Sequence, residues 1–208
     1  EDFLHIAGLI QILVSSGSMR PFMLVGIENT QRRRDLTGPT TIADDLKIAP
    51  VVGGSAKYRR FLAEEVIPEI RRRYRTTSER AIVGESLAGL FVMETFFTEP
   101  ELFDAYIAID PSLWWAGHEL VSRAPERLGA GNFRGRSLFL SSSNEPTIAQ
   151  LTLDLAGTLD TTRPEGLQFF FAPMPGESHA TIFHPAALTA FRSVLAPRPA
   201  DDREGAKP

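Results

Sequence analysis

Arg80-Ala81-Ile82-Val83-Gly84-Glu85-Ser86-Leu87-Ala88-Gly89-Leu90-Phe91-Val92-Met93-Glu94 is the stretch that decides the fold. Arg80-Ala81-Ile82-Val83 is a short, largely apolar, partly β-branched run of the kind that forms a buried strand. From Leu87 onward the chain is almost wholly apolar and reads as a helix. Ser86 therefore sits on a sharp turn between strand and helix, the geometry of a nucleophile elbow. Such a turn brings the two backbones close together, so the positions two before and two after the serine must be small. Gly84 and Ala88 fill them, with Ala88 in place of the more usual glycine. The helix beginning just after Ser86 aims its free amides and positive dipole end at the serine's reaction centre.

Outward from the elbow the chain alternates helical and strand patterns. Before it, residues 3–16 read as a buried or amphipathic helix, and residues 22–27 as an apolar strand entered through Pro21. Residues 28–54 form a long polar segment with turns at Gly38-Pro39 and Gly53-Gly54. Residues 57–74 carry Leu62, Val66, Ile70 and Tyr74 at four-residue spacing, so they read as a helix that Pro68 should kink. Arg71, Arg72, Arg73 and Arg75 crowd its end, where cations complement the helix dipole; an acidic partner is the other reading. After the elbow come strands at 105–110, 137–141 and 167–172, with helices at 147–159 and 185–195. Strands separated by helices imply a mainly parallel sheet covered on both faces, an α/β fold. One domain spans residues 1–196, and the Pro-rich, charged stretch 197–208 reads as a disordered tail.

Composition narrows the chemistry. The chain has 208 residues, enough for one domain with a substantial core. Its net charge of −4 does not favour nucleic acid, whose binders carry a basic face. With no cysteine, the chain has no disulfide framework, thiolate nucleophile or cysteine-ligated metal. No pair of histidines has helix-face ligand spacing, so no metal or cofactor is expected. No apolar run approaches the roughly 20 residues of a membrane-spanning helix. Residues 6–14 are apolar, but they lack the basic leader and cleavage site of a signal peptide. The chain opens on Glu1-Asp2 without methionine, and the expectation is that its beginning has been cut away. Cytoplasm and periplasm both stay open as compartments.

A serine nucleophile needs a base within hydrogen-bond reach and a group that orients the base. In hydrolases with this elbow the chain order is Ser, then Asp or Glu, then His. Of the four histidines, His5 precedes the elbow, His118 follows a tryptophan pair and His184 abuts Pro185. His179 lies in the loop after the last strand and is the candidate base. Glu145, in the polar turn after strand 137–141, is the candidate orienting acid. Asp110, Asp154 and Asp160 are the carboxylates weighed against it. A Ser–His dyad is a further alternative, and Glu177 could instead orient the histidine loop. For the oxyanion hole, the amide of Leu87 should supply one donor and that of Glu28, after strand 22–27, the other. Arg32, Arg33 and Arg34 follow in the same loop, where Arg32 and Arg34 are candidate contacts for an anionic substrate.

Four blocks carry a family resemblance. They are Val25-Gly26-Ile27-Glu28 with residues 32–37 (RRRDLT), and Gly53-Gly54-Ser55-Ala56-Lys57-Tyr58 with Phe61 and residues 65–68 (EVIP). The others are residues 84–91 (GESLAGLF) and Pro111-Ser112-Leu113-Trp114-Trp115. Gly176-Glu177-Ser178-His179 is a weaker fifth, similar to the turn that holds the family's catalytic histidine. On these residues the chain resembles the esterase D and siderophore-esterase branch of the α/β-hydrolases, which includes trilactone hydrolases of enterobactin-type siderophores. The resemblance covers residues 1–195 and implies a serine esterase working on a small-molecule ester through an acyl-enzyme. It also implies that Trp114 and Trp115 line the substrate pocket. Acyl transfer of the mycolyltransferase type and a non-catalytic binding protein are the alternative functions, and the oligomeric state is left open. Two departures stand out. A negative charge, Glu85, precedes the nucleophile, and the several strands that open family members before the first helix are missing here.

Overall fold

The computed structural model describes residues 3–198. Four parallel strands form one sheet in the order β1-β2-β3-β4: Ala81–Glu85, Ala105–Ile109, Ser137–Ser142 and Gln168–Pro173. Helices α1 (Phe3–Ser15), α2 (Arg32–Leu36), α3 (Ala43–Ile48), α4 (Ser55–Phe61) and α5 (Ile67–Arg73) precede β1. Helix α6 (Leu87–Thr98) follows it, then α7 (Trp115–Ser122), α8 (Ala124–Ala130), α9 (Pro146–Thr162) and α10 (Phe183–Val194). All four strand readings from residue 80 onward match the sheet to within a residue or two at each end. No described helix is long and apolar enough to cross a membrane. The part of the proposed tail beyond residue 198 lies outside the described residues.

The sheet is covered on both faces because its strands alternate between two apolar layers. In β2 every residue is buried, the near-continuous apolar run of a central parallel strand. Tyr106 and Ala108 point into a core shared with α6, α8 and α9, while Ala105, Ile107 and Ile109 point into one shared with α1 and α10. The strand period of two continues in β3, where Leu138 and Leu140 join the first core and Phe139 the second. Helix α6 touches β1 and β2 and buries nine residues, including Leu90, Phe91, Met93 and Phe96. Apart from Glu94, Thr95 and Thr98 it is apolar, as suits a helix enclosed over most of its surface.

The half before β1 departs from expectation. Residues 21–29 form no regular element and pair with no strand among the described residues. Phe22 and Leu24 turn toward the second core, whereas Met23, Val25 and Ile27 stay exposed. The period-two pattern is thus real, yet the segment is separated from the free edge of β1 by an apolar cleft of about 520 Å³. Met23, Val25, Ile27, Ile67, Ile82 and Phe91 are among the residues that line it.

The helix expected over 57–74 is two helices joined through a π-turn, Leu62–Val66. Pro68 sits in the first turn of α5, where its missing N–H is not needed, and the wide turn before it accommodates the ring. At the end of α5, Arg72 donates to both oxygens of Glu69 at 2.8 Å, and Arg73 pairs with the same carboxylate. The long segment 28–54 holds α2 and α3. It is tied down by buried Asp45, which accepts from Thr40 Oγ1 at 2.7 Å and from the Ala116 amide at 2.9 Å.

Candidate active site

Ser86 has φ 61° and ψ −122°, a conformation that costs a non-glycine residue about 1–3 kcal/mol and survives only where its surroundings enforce it. Three main-chain bonds do so. Its amide donates to the Ile109 carbonyl at 3.1 Å, and its carbonyl accepts from the amides of Leu90 at 2.9 Å and Ser112 at 3.1 Å. The small residues are needed for contact. A Cβ on Gly84 would fall 2.5 Å from the Ala88 main chain, and one on Gly89 would lie 3.0 Å from Ile109 O and Pro111 Cα. Gly84 therefore lets the strand cross the helix, and Gly89 lets the helix lie against the end of β2. Leu87 is the first residue of α6, so its N–H belongs to the helix-terminal amides that have no intrahelical acceptor.

Ser86 Oγ lies 3.1 Å from His179 Nε2, and His179 Nδ1 lies 2.6 Å from Asp110 Oδ2. Asp110 is fully buried at the carboxyl end of β2, where φ is 46°. Its other oxygen accepts from the Ser143 amide at 2.6 Å. With one carboxylate oxygen held by the main chain, the other faces Nδ1 in a fixed direction. A carboxylate there can only accept, so Nδ1 carries the imidazole proton and the Nε2 lone pair is left to take the proton of Ser86. The histidine loop is fixed to the neighbouring turn by Asn144 N–H donating to Glu177 O at 2.9 Å, and the Ser178 amide donates to Thr181 Oγ1 at 3.0 Å. Glu177 thus orients this loop through its main chain.

Glu145, the acid expected from the sequence, does other work. Its carboxylate accepts the Ile148 amide at 2.6 Å and caps the N-terminus of α9. The orienting acid comes instead from the end of β2, one strand earlier, and the turn after β3 contributes the Ser143 amide that steadies it. The chain order Ser86, Asp110, His179 is preserved. The signal that could have found Asp110 was its place at a strand's carboxyl end, next to Pro111, in a run with no solvent-facing residue.

Five other expected positions separate. Trp115 is 3% exposed and its Nε1 donates to Gly38 O at 3.1 Å, so it is a core residue and not a pocket wall. Trp114, 5.9 Å away and tilted, keeps partial exposure. Arg34 is committed to buried Asp35 at 2.7 Å, and its carbonyl accepts the Gly54 amide at 2.9 Å. A Cβ on Gly54 would come within 2.7 Å of that carbonyl, which is why the Gly53-Gly54 block accompanies the arginine loop. Arg32 reaches the elbow, with Nη2 3.5 Å from the Glu85 carbonyl. Glu28 lies in the exposed stretch 21–29, so the sheet strand that was to aim its amide is absent. Sequence reasoning missed Ser112, whose Oγ is 3.4 Å from Ser86 Oγ.

A parallel sheet with a strained serine at the carboxyl end of β1 and a His–Asp pair at neighbouring strand ends defines a serine hydrolase of the α/β-hydrolase class. Residues 1–148 match the model of the family described as putative esterase, and the chain belongs to that family. It is 27% identical over 197 residues to the ferri-bacillibactin esterase BesA of Bacillus subtilis (strain 168), covering 85% of this chain and 68% of that one. A shorter stretch of 89 residues is 39% identical to the siderophore triacetylfusarinine C esterase of Aspergillus fumigatus, covering 40% of this chain and 28% of that one. In three dimensions the chain superposes on an IroE-like serine hydrolase from Shewanella oneidensis with a TM-score of 0.84 and 29% identity, covering 92% of this chain and 66% of that one. The chain spans about two thirds of the length of the Bacillus and Shewanella proteins, and little more than a quarter of the Aspergillus one.

Proposed function

We propose that the protein is a serine esterase that cleaves carboxylic esters of siderophore type through an acyl-enzyme. The observation that carries this reading is the unbroken line Ser86 Oγ, His179, Asp110, with spacings of 3.1 and 2.6 Å. As Ser86 Oγ bonds to the ester carbonyl carbon, its proton passes to His179 Nε2 and the carbonyl oxygen becomes an oxyanion facing the Leu87 N–H. Collapse of this intermediate breaks the ester C–O bond, and Nε2 returns the proton to the departing alcohol. Water, deprotonated by the same nitrogen, then attacks the acyl carbon, which releases the acid and regenerates Ser86. Asp110 stays ionised and holds the imidazole in the tautomer each step needs. The siderophore class follows from the relatives, which are named for siderophore esters. Arg32 and the exposed part of Trp114 are the side chains we assign to contact with such a substrate.

The test is hydrolysis of short p-nitrophenyl esters and of a tris-catecholate trilactone, with a fluorophosphonate as active-site label. The protein should turn over both substrates and take up the label. Ser86→Ala should lose both properties, with kcat falling by about 10³–10⁶-fold. Turnover surviving in Ser86→Ala would remove the assignment.

A further inference from the structure

Glu85 is the last residue of β1 and the immediate neighbour of the nucleophile, yet nothing in the mechanism above uses it. Its Oε1 lies 3.7 Å from His179 Nε2, and its side chain is only 24% exposed. The imidazole therefore stands between two carboxylates, Asp110 at the nitrogen that keeps its proton and Glu85 at the nitrogen that shuttles one. The leaving oxygen must come within about 3 Å of Nε2 to collect that proton. A charge on the alcohol half of the ester, a few bonds beyond that oxygen, is then roughly 5–8 Å from the Glu85 carboxylate. At such a distance, in a half-buried site, like charges repel by enough to change a rate about tenfold.

We propose that Glu85 is a specificity-determining residue: its carboxylate at the proton-shuttling edge of His179 selects esters whose alcohol half is neutral or cationic and rejects those whose alcohol half carries a carboxylate near the scissile oxygen. This rests on the esterase reading above and adds the charge of the leaving group to it. Arg32 works in the opposite sense. Its Nη2 lies 3.5 Å from the Glu85 carbonyl. At that range its positive charge offsets part of the field of Glu85. The selection acts on the transition state, where the alcohol oxygen takes up charge and the proton crosses, so it appears in kcat/KM.

The experiment compares, with the intact protein, three acetyl esters that carry two methylenes between the scissile oxygen and the varied group: 3-acetoxypropionate, 3-acetoxypropionamide and (2-acetoxyethyl)trimethylammonium. At low ionic strength kcat/KM for the anionic ester should be about tenfold below that for the amide, with the cationic ester at or above the amide. In Glu85→Gln the anionic-to-neutral ratio should close to within about twofold, and in Arg32→Ala it should widen. Ratios taken within one variant cancel any general loss from altering the residue beside Ser86. The wild-type ratio should also shrink at about 1 M salt, a test of the same charge that needs no substitution. A ratio near one in the wild type, or one unchanged in Glu85→Gln, overturns the inference and leaves the esterase reading standing. No hydrolysis of the neutral ester by the wild type overturns the esterase reading itself.

Discussion

From β1 to α10 nearly every apolar run finds an enclosing partner; the apolar run at residues 22–27, before β1, does not. Ile107 in β2 and Ile27 in that run are both apolar residues in period-two patterns. Ile107 is completely buried, with a strand on each side and helices above and below. Ile27 is 37% exposed and borders the cleft beside the open edge of β1. Local pattern is therefore sufficient to turn alternate side chains inward and outward. Making the segment a strand of the sheet takes a neighbour with free backbone groups in the right register, which pattern does not provide. The difference reaches the site. Ser86, Asp110 and His179 all come from the enclosed half and meet at hydrogen-bonding distance, whereas Glu28, from the open half, has no element to aim it.

The largest effect that would break this comparison is catalytic. Asp110→Asn should lower kcat by about 10⁴-fold, because an amide at that position favours the wrong imidazole tautomer. Glu145→Ala should leave turnover within about twofold and lower stability by about 1 kcal/mol through the lost cap on α9. Steady-state kinetics and denaturant melts on both variants decide it, and the reverse assignment of effects would restore Glu145 as the acid. Next in size, Ile107→Ala should cost about 2–5 kcal/mol by leaving a cavity between layers that cannot collapse. Ile27→Ala should cost less than about 0.5 kcal/mol, as expected of a half-exposed position. Equal losses in urea unfolding would mean the two halves are equally enclosed.

Gly84→Ala sharpens the comparison at the elbow. With its new Cβ pressed to 2.5 Å from the Ala88 main chain, it should lose about 1–3 kcal/mol and most fluorophosphonate labelling. Gly8→Ala in α1 has open space and should gain up to about 1 kcal/mol. The smallest effect is electrostatic and lies on the open half. Arg72 and Arg73 bring the Glu69 carboxyl down from 4.5 to about 2. A carboxylate whose pKa is lower in the folded state stabilises that state above its unfolded value. The contribution is lost as pH falls through the folded value, so the window runs from 4.5 down to about 2. The Glu69 side chain is 40% exposed and open to screening by solvent, so the difference between wild type and Glu69→Gln should be slight at pH 6. It should fade as pH falls from 4.5 to about 2, disappear only below that, and shrink with salt.

The sequence alone determined the elements that depend on local rules. Gly84, Ser86 and Ala88 between a β-branched strand and an apolar helix dictate the elbow, since only small residues let those backbones cross. Three strands and two helices after the elbow were legible because hydrophobic period and proline punctuation are properties of the chain itself. The choice of His179 followed the same logic, from a loop that must emerge at a strand's carboxyl end. Tertiary structure alone decided what depends on distance between remote residues. Asp110 and Glu145 look alike in sequence, a carboxylate at a strand end and one in a polar turn. Their roles separated only when β2 and β3 were set side by side, so that the Ser143 amide could hold Asp110 against His179 and the start of α9 could claim Glu145. Trp115 was likewise drawn away from the site by the Gly38 carbonyl, 77 residues earlier, which no spacing rule announces, whereas Arg34 is held by its own sequence neighbour, Asp35, which folding buries. A side chain's role is set by the group that completes its hydrogen bonds: for Asp110 and Trp115 that group lies dozens of residues away, whereas for Glu145 and Arg34 it is close in sequence and only the fold decides that it is used.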